Sequence, residues 1–223
     1  MIGSRYSGII NNMSDYTFHI LGCGAIGSSA ATQLARMGAT TFFLYDMDKV
    51  EDVNIGVSQY DVKHIGKNKV DALYELITDI IGDNNNNVTP VNGLFSEYMY
   101  NGTNDIIILG FDSMKSRMEA VVILCSNNNK PAYIIDGRMG AEHYMQYVLE
   151  KPTVNKYKKV WYSDEEGDPE PCNAKATSYC SNMSGSFISN AVRKLLTKQP
   201  CSEKISFHFP TMMLVSKGNI VVN

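Results

Sequence analysis

Residues 17–27 read Thr17-Phe18-His19-Ile20-Leu21-Gly22-Cys23-Gly24-Ala25-Ile26-Gly27. The first five are apolar, β-branched or aromatic for the most part, which predicts a buried strand. The glycines that follow are spaced G-x-G-x-x-G. Ala25–Met37 then predicts a helix, with apolar or small residues at Ile26, Ala30, Leu34 and Met37 and with Gly38 at its C-terminus. Thr41–Tyr45 is a second buried strand, ending in Asp46. Strand, glycine turn, helix and strand make one βαβ unit. In such a unit Gly22 permits the tight turn, Gly24 lets a phosphate approach the backbone, and Gly27 lets the helix pack on the sheet. The helix N-terminus, from Ala25 and Ile26 onward, directs N–H groups at an anion. A carboxylate at Asp46 can accept hydrogen bonds from ribose hydroxyls. A glycine turn needed only for close packing is the competing reading.

Outward from this unit the alternation continues. Gly66–Ile81 carries a helical stripe of Val70, Leu73, Tyr74, Ile77, Ile80 and Ile81, and the polar run Asn84–Asn87 predicts a loop. Asp105–Gly110 predicts a strand, Ser113–Cys125 a helix and Ala132–Asp136 another strand. After Gly140 the pattern changes. Glu142–Leu149 and Val154–Tyr162 read as strands of mixed character, Ser163–Pro171 as an acidic exposed loop, and Ser178–Thr197 as a long helix. Lys204–Phe209 and Met212–Val222 read as strands around a Lys217-Gly218-Asn219 turn. The expected fold class is α/β: a Rossmann-like open, mainly parallel sheet with helices on both faces and a mixed, β-rich C-terminal part. One domain is expected over 1–223, with a nucleotide-binding core in 1–140 and a cap of the same domain in 141–223.

The composition bounds the function. Hydrophobic residues make up 44% of 223, enough for a packed core. Twenty Lys and Arg against 23 Asp and Glu give a net charge of -3, which argues against holding nucleic acid by bulk phosphate neutralisation. The apolar runs, such as Ile106–Leu109, fall far short of the ~18 residues of a membrane span. Five scattered cysteines without a secretory signal point to a reducing, cytoplasmic setting rather than a disulfide framework.

Beyond the glycine turn, Asp46-Met47-Asp48-Lys49-Val50-Glu51 is followed by Asn54, Gln59, Ile65-Gly66 and Lys69, and Asp105–Asp112 reads DIIILGFD. Together these resemble the ThiF/MoeB/HesA family of adenylyltransferases, which are related to ubiquitin-activating enzymes. The resemblance covers about residues 17 to 140. Asp112–Arg117 and Asp136–Glu142 further resemble compact members encoded by phages and mobile elements. The resemblance implies attack of a substrate carboxylate on the α-phosphate of ATP, giving an acyl-adenylate and pyrophosphate. The carboxylate would belong to a small ubiquitin-like or sulfur-carrier protein, and a homodimer is implied. Lys69 would neutralise phosphate charge, Asp112 would hold Mg²⁺, and Asp46 the ribose. Asp48, Asn54 and Gln59 would line the same pocket with Gly22, Gly24, Ala25, Ile26 and Gly27.

The chain departs from the family pattern in three ways. Asn54-Ile55-Gly56-Val57-Ser58-Gln59 has one extra residue and lacks the arginine that precedes the glutamine in well-known members. Lys63 and Lys67 are candidate replacements, as point charges. The paired C-x-x-C motifs are absent, and Cys172 and Cys180 are too far apart for that spacing, so no zinc is expected. The length leaves no room for the accessory domains of eukaryotic activating enzymes.

Three residues keep two readings each. Arg5, in Arg5-Tyr6-Ser7, resembles an arginine that enters a dimer partner's ATP site, or is a solvated terminal arginine. Arg138, between Gly137 and Met139-Gly140, is a ligand-facing cation or a turn arginine paired with Asp136 or Glu142. Cys172 is an acyl-accepting thiol or an unreactive exposed cysteine, and its acidic neighbours disfavour the thiolate. Two other functions stay open: a catalytically degenerate binding subunit, given the missing arginine, and an NAD-dependent oxidoreductase, given the glycine turn and Asp46 alone.

Overall fold

The computed structural model describes residues 4–10, 12–83, 86–102, 104–166 and 176–220. Eight strands form one sheet in the order β3-β2-β1-β4-β5-β6-β7-β8. These are β1 (Thr17–Leu21), β2 (Thr41–Asp46), β3 (Asn87–Asn92), β4 (Asp105–Leu109), β5 (Tyr133–Gly140), β6 (His143–Glu150), β7 (Lys204–His208) and β8 (Met213–Lys217). The strands from β3 to β5 pair in parallel, and β5 to β8 pair antiparallel. Helices α1 (Ala25–Arg36), α2 (Asp52–Ile55), α3 (Lys69–Ile81), α4 (Met114–Ser126), α5 (Val154–Lys158) and α6 (Ser178–Leu196) connect or cover them.

The alternation of side chains along the central strands splits the core in two. Phe18 and Ile20 of β1 face α1, α3 and α6, packing with Leu34, Leu73 and Val192. Leu21 of β1 and Ile107 and Leu109 of β4 face the other layer, with Val121 and Leu124 of α4 and Tyr157 of α5. Strands buried on both faces need helices on both faces, and β1 and β4 are buried along their whole length, with the polar His19 and Asp105 meeting each other at 3.2 Å.

Small residues bring α6 against α1. Ser181, Ser184 and Gly185 meet Ser28, Ser29 and Thr32, all buried. A Cβ on Gly185 would lie 2.4 Å from Ser29 Oγ and 2.7 Å from the Ser29 carbonyl carbon, so no larger residue fits. Ser181 Oγ donates to the Ala25 carbonyl at 3.0 Å, and Gln33 Nε2 to the Asn182 carbonyl at 3.0 Å. The two helices therefore run side by side in the same direction, and their N-termini meet at one end of the sheet.

Several sequence expectations are corrected. Val154–Tyr162 is not a strand: Thr153 Oγ1 caps α5 by accepting the Lys156 N–H at 3.1 Å. Val154 and Tyr157 share a helical spacing of three, and Tyr157 is fully buried. The last hairpin does not turn at Lys217–Asn219. Its turn is at 209–212, where Met212 takes φ +51° and its N–H reaches the Phe209 carbonyl at 3.0 Å. Gly218 (φ +67°) instead ends β8 and leads Ile220 into a bridge with Cys201. Strand β5 runs on past Asp136 to Gly140 because β6 pairs with it along its whole length. Asn87 begins strand β3, an edge strand that admits Pro90, rather than closing the asparagine loop. The rest of the central alternation lies where its periodicity puts it.

Candidate functional site

The C-terminal ends of β1, β2 and β4 meet at the glycine turn. The Gly22 N–H donates to the Tyr45 carbonyl at 2.9 Å, and the Gly110 N–H to the Leu21 carbonyl at 2.8 Å. Gly22 takes φ +91°, and a Cβ on it would lie 2.8 Å from Gly110 and 2.9 Å from the Phe111 nitrogen. A Cβ on Gly27 would lie 1.9 Å from the Gly22 carbonyl oxygen. These two glycines are required by close approach of backbone to backbone. Gly24 differs: a Cβ there meets nothing within 4 Å. It leads into α1, whose first turn has no side-chain cap and no acidic residue. The second glycine thus leaves an open space over a helix N-terminus, which suits an anion.

Asp46 closes one side of the turn. Its Oδ2 accepts the Cys23 N–H at 2.7 Å and its Oδ1 the Asp48 N–H at 2.9 Å. Burial pushes its carboxyl above the ordinary value, against the pull of these N–H groups and of Lys69. Lys69 opens α3; its N–H donates to the Asp48 carbonyl and its Nζ lies 2.8 Å from Asp48 Oδ2. Burial opposes its charge, but the Asp48 hydrogen bond and the Asp46, Asp48 and Asp112 carboxylates hold it above the usual lysine range. The ammonium is therefore paired with Asp48 and lies in the field of Asp46 and Asp112.

Asp112 is exposed in the connection from β4 to α4. It does not cap α4. Ser113 does, its Oγ accepting the Ser116 N–H at 3.0 Å, which leaves the Asp112 carboxylate available. Asp164 adds a second cap, accepting the Met114 N–H at 2.7 Å, and Trp161 Nε1 donates to the Met114 carbonyl at 2.7 Å. Residues 161–166 are thereby held against the start of α4.

Gln59 lies beside α1: its N–H donates to Ser28 Oγ at 3.2 Å and its Nε2 to Asn182 Oδ1 at 2.8 Å. Asn54 Oδ1 accepts the Glu51 N–H at 2.9 Å, so its side chain stabilises the short helix α2. Of the two lysines considered as arginine replacements, Lys67 is held by Glu75 at 2.7 Å, and Lys63 is exposed.

The remaining sequence candidates lie elsewhere. Arg138 is buried within β5. Its guanidinium holds Asp136 Oδ2 at 2.6 and 3.0 Å and the Val160 carbonyl at 2.8 Å, and it stacks over Tyr147. Arg117 also pairs with Asp136, and it donates to the Leu109 and Phe111 carbonyls. Arg5 is exposed in a short helical turn whose Tyr6 hydroxyl donates to the Arg36 carbonyl. That is the far end of α1, 12 residues from the glycine turn, or about 18 Å along a helix. Cys172 lies outside the described residues. Cys23 and Cys180 are buried. Among the described residues, no three His, Cys, Asp or Glu side chains cluster as metal ligands. Nor is any helix there long and apolar enough to cross a membrane.

Sequence reasoning missed Tyr60 and Asp164. Tyr60 is buried, and its hydroxyl lies on the carbonyls of Cys23 and Lys69. Its only signal was adjacency to Gln59. Asp164 sat in an acidic run that reads as solvated.

A family model for the ThiF family matches residues 8–216. Ubiquitin-like modifier-activating enzyme 5 of Caenorhabditis elegans is 28% identical over 138 residues, covering 55% of this chain and 33% of that protein. The enzyme of the same name from Dictyostelium discoideum is 33% identical over 122 residues, covering 53% and 29%. The chain therefore spans about a third of the length of these relatives. Among solved structures, E. coli MccB with ATP superposes with a TM-score of 0.72 at 17% identity, covering 96% of this chain and 66% of that one. PaaA gives 0.70 at 18%, covering 94% and 66%. At these identities the likeness is one of fold.

Proposed function

Because the chain belongs to the ThiF family, we propose that it is an ATP-dependent adenylyltransferase acting on the C-terminal carboxylate of a small protein or peptide. The observation that carries this reading is that the Lys69 ammonium pairs with Asp48 in the field of Asp46 and Asp112, while Asp46 also holds the Cys23 N–H of the glycine turn. An NAD-dependent oxidoreductase would use the turn and Asp46 but would leave the Lys69 and Asp112 charges without a purpose.

The reaction is a displacement at phosphorus. A carboxylate oxygen forms a bond to the α-phosphorus, and the bond from that phosphorus to the bridging oxygen breaks. Pyrophosphate departs with the bridging oxygen. The attacking carboxylate is already ionised at neutral pH, so no general base is required. The barrier lies in bringing one anion onto another, which preorganised positive charge lowers. In this chain the α1 N-terminus and Lys69 would receive phosphate oxygens, and Asp46 the ribose. Asp112 fits a magnesium ion, which binds through one or two carboxylates with phosphates supplying the rest; the ion would neutralise phosphate charge.

The relatives named for ubiquitin-like modifiers, and the MccB structures solved with the peptide MccA, support a small protein or peptide as substrate. We further propose a homodimer, in which Arg5 serves the partner's site, since its place at the far end of α1 keeps it from its own. One observation favours a second reading, a subunit that binds nucleotide without turnover: no arginine stands in 54–59, and Lys67 is held by Glu75.

The first test is ligand class. Wild-type chain is heated with Mg²⁺ and ATP, or with NAD. A rise in Tm with ATP and none with NAD is expected, because a ligand that binds only the native state stabilises it by mass action. A rise with NAD alone contradicts the proposal.

A further inference from the structure

The hydroxyl of Tyr60 donates to the carbonyl of Cys23, in the middle of the glycine turn, and the Lys69 carbonyl lies 3.2 Å from the same oxygen. The ring packs in the core among α1 and α3 residues, and the hydroxyl is buried with it. Burial, with Cys23 and Asp46 nearby, pushes the phenol well above its ordinary pKa, so it remains a donor.

The consequence follows from the geometry of one peptide. No peptide bond among the described residues is cis, and in a planar trans peptide the C=O and the N–H point in opposite directions. With the Cys23 carbonyl drawn inward onto Tyr60, the Gly24 N–H is turned outward. The Cys23 N–H is fixed separately by Asp46 at 2.7 Å. A flipped Cys23–Gly24 peptide would aim a carbonyl dipole at an incoming phosphate instead of an N–H. Gly24 has no Cβ to resist that flip, and no atom lies within 4 Å of where one would stand.

From this geometry we infer that Tyr60 is a positioning residue for nucleotide binding: its hydroxyl locks the Cys23–Gly24 peptide in the anion-receiving orientation and ties the turn to the start of α3, where Lys69 stands. The inference rests on the ATP reading given above. It assigns a role to a residue outside the motif positions, next to the segment where the expected arginine is missing.

The test compares Tyr60→Phe with Tyr144→Phe. Both keep the ring and delete one buried hydroxyl; that of Tyr144 donates to Gln146 Oε1 at 3.1 Å, within β6, rather than to the glycine turn. ATP affinity is measured by calorimetry with Mg²⁺ present, and Tm by thermal denaturation of the apo chains. Each variant is expected to lose a few degrees of Tm. Tyr60→Phe is expected to bind ATP about fivefold more weakly, within the range of one hydrogen bond, while Tyr144→Phe binds it as wild type does. Tyr60→Phe within twofold of wild type, or equal weakening by both variants, would overturn the inference. If wild type itself binds no ATP, the adenylation reading fails and this inference with it, a result visible without either variant.

Discussion

The Asp46 carboxylate accepts the Cys23 N–H at 2.7 Å through one oxygen and the Asp48 N–H at 2.9 Å through the other, so one side chain joins the end of β2 to the glycine turn. An amide cannot accept from both. Asp46→Asn should therefore cost about 1 kcal/mol of stability by leaving one N–H unpaired. The pH dependence has a definite sign. Burial raises the carboxyl's pKa in the folded chain above 3.8, so its contribution to stability is full below that value and is lost as pH rises through the folded value. The wild-type advantage over Asp46→Asn should shrink as pH rises above 3.8 in urea denaturation. An advantage that grows with pH would contradict the assignment.

Two glycines of one motif, Gly27 and Gly24, should fail in different ways. Gly27→Ala places a Cβ 1.9 Å from the Gly22 carbonyl oxygen and should cost about 3 kcal/mol or more by forcing α1 off the sheet. Gly24→Ala meets no neighbour within 4 Å. Its Tm should stay within about 2 °C of wild type, while ATP affinity drops more than tenfold, a phosphate being what needs the space. Loss of fold in Gly24→Ala would show that the second glycine serves packing.

Lys69→Ala should leave the fold intact and remove activity. Preorganised charge at a reacting phosphoryl group is worth roughly 10²–10³ in rate. Because surrounding acids hold the Lys69 ammonium above the usual lysine range, the wild-type rate should not fall between pH 7 and 9. Steady-state kinetics across that range check both points; a decline with an apparent pKa near 8 would mean that a different group carries the phosphate charge.

Arg117, Arg138 and Tyr157 all bind Asp136 in the interior. Arg117 also holds the Leu109 and Phe111 carbonyls, at the turn that presents Asp112. Arg117→Ala strips a buried pair of one partner and should cost about 3–5 kcal/mol, with a Tm drop of roughly 2–4 °C per kcal/mol for a domain of this size. A change of less than 2 °C would show that Arg138 alone satisfies Asp136.

Where each element was legible follows from its physics. Helix α1 and strands β1, β2 and β4 bury whole faces, so their apolar periods are strong, and the glycine spacing is fixed by backbone contacts that admit no side chain. Asp46, Asp48, Lys69 and Asp112 are candidates because a motif fixes their order along the chain. Strand β3 could not: it is an edge with Pro90 and exposed polar residues, held by its pairing to β2. Helix α5 depends on the Thr153 cap and on Tyr157 meeting Asp136, both decided by tertiary packing. The place of Arg138 needed the pairing of β5 with β6, which carries the strand past Asp136 and encloses the guanidinium. Tyr60 was hidden for the same reason: a buried tyrosine looks like any core aromatic until its hydroxyl is seen on the Cys23 carbonyl.

Isotope exchange reads transfer of an adenylyl group from ATP to a carboxylate at this site. Purified chain is incubated with ATP, Mg²⁺, labelled pyrophosphate and a panel of peptides with free C-terminal carboxylates, Gly-Gly termini included, beside Lys69→Ala as control. Label is expected to enter ATP only when an accepted peptide is present, and at least a hundredfold less with Lys69→Ala. Exchange that Lys69→Ala supports as well as wild type, or ATP bound by wild type with no exchange for any carboxylate offered, would contradict adenylyl transfer at this site.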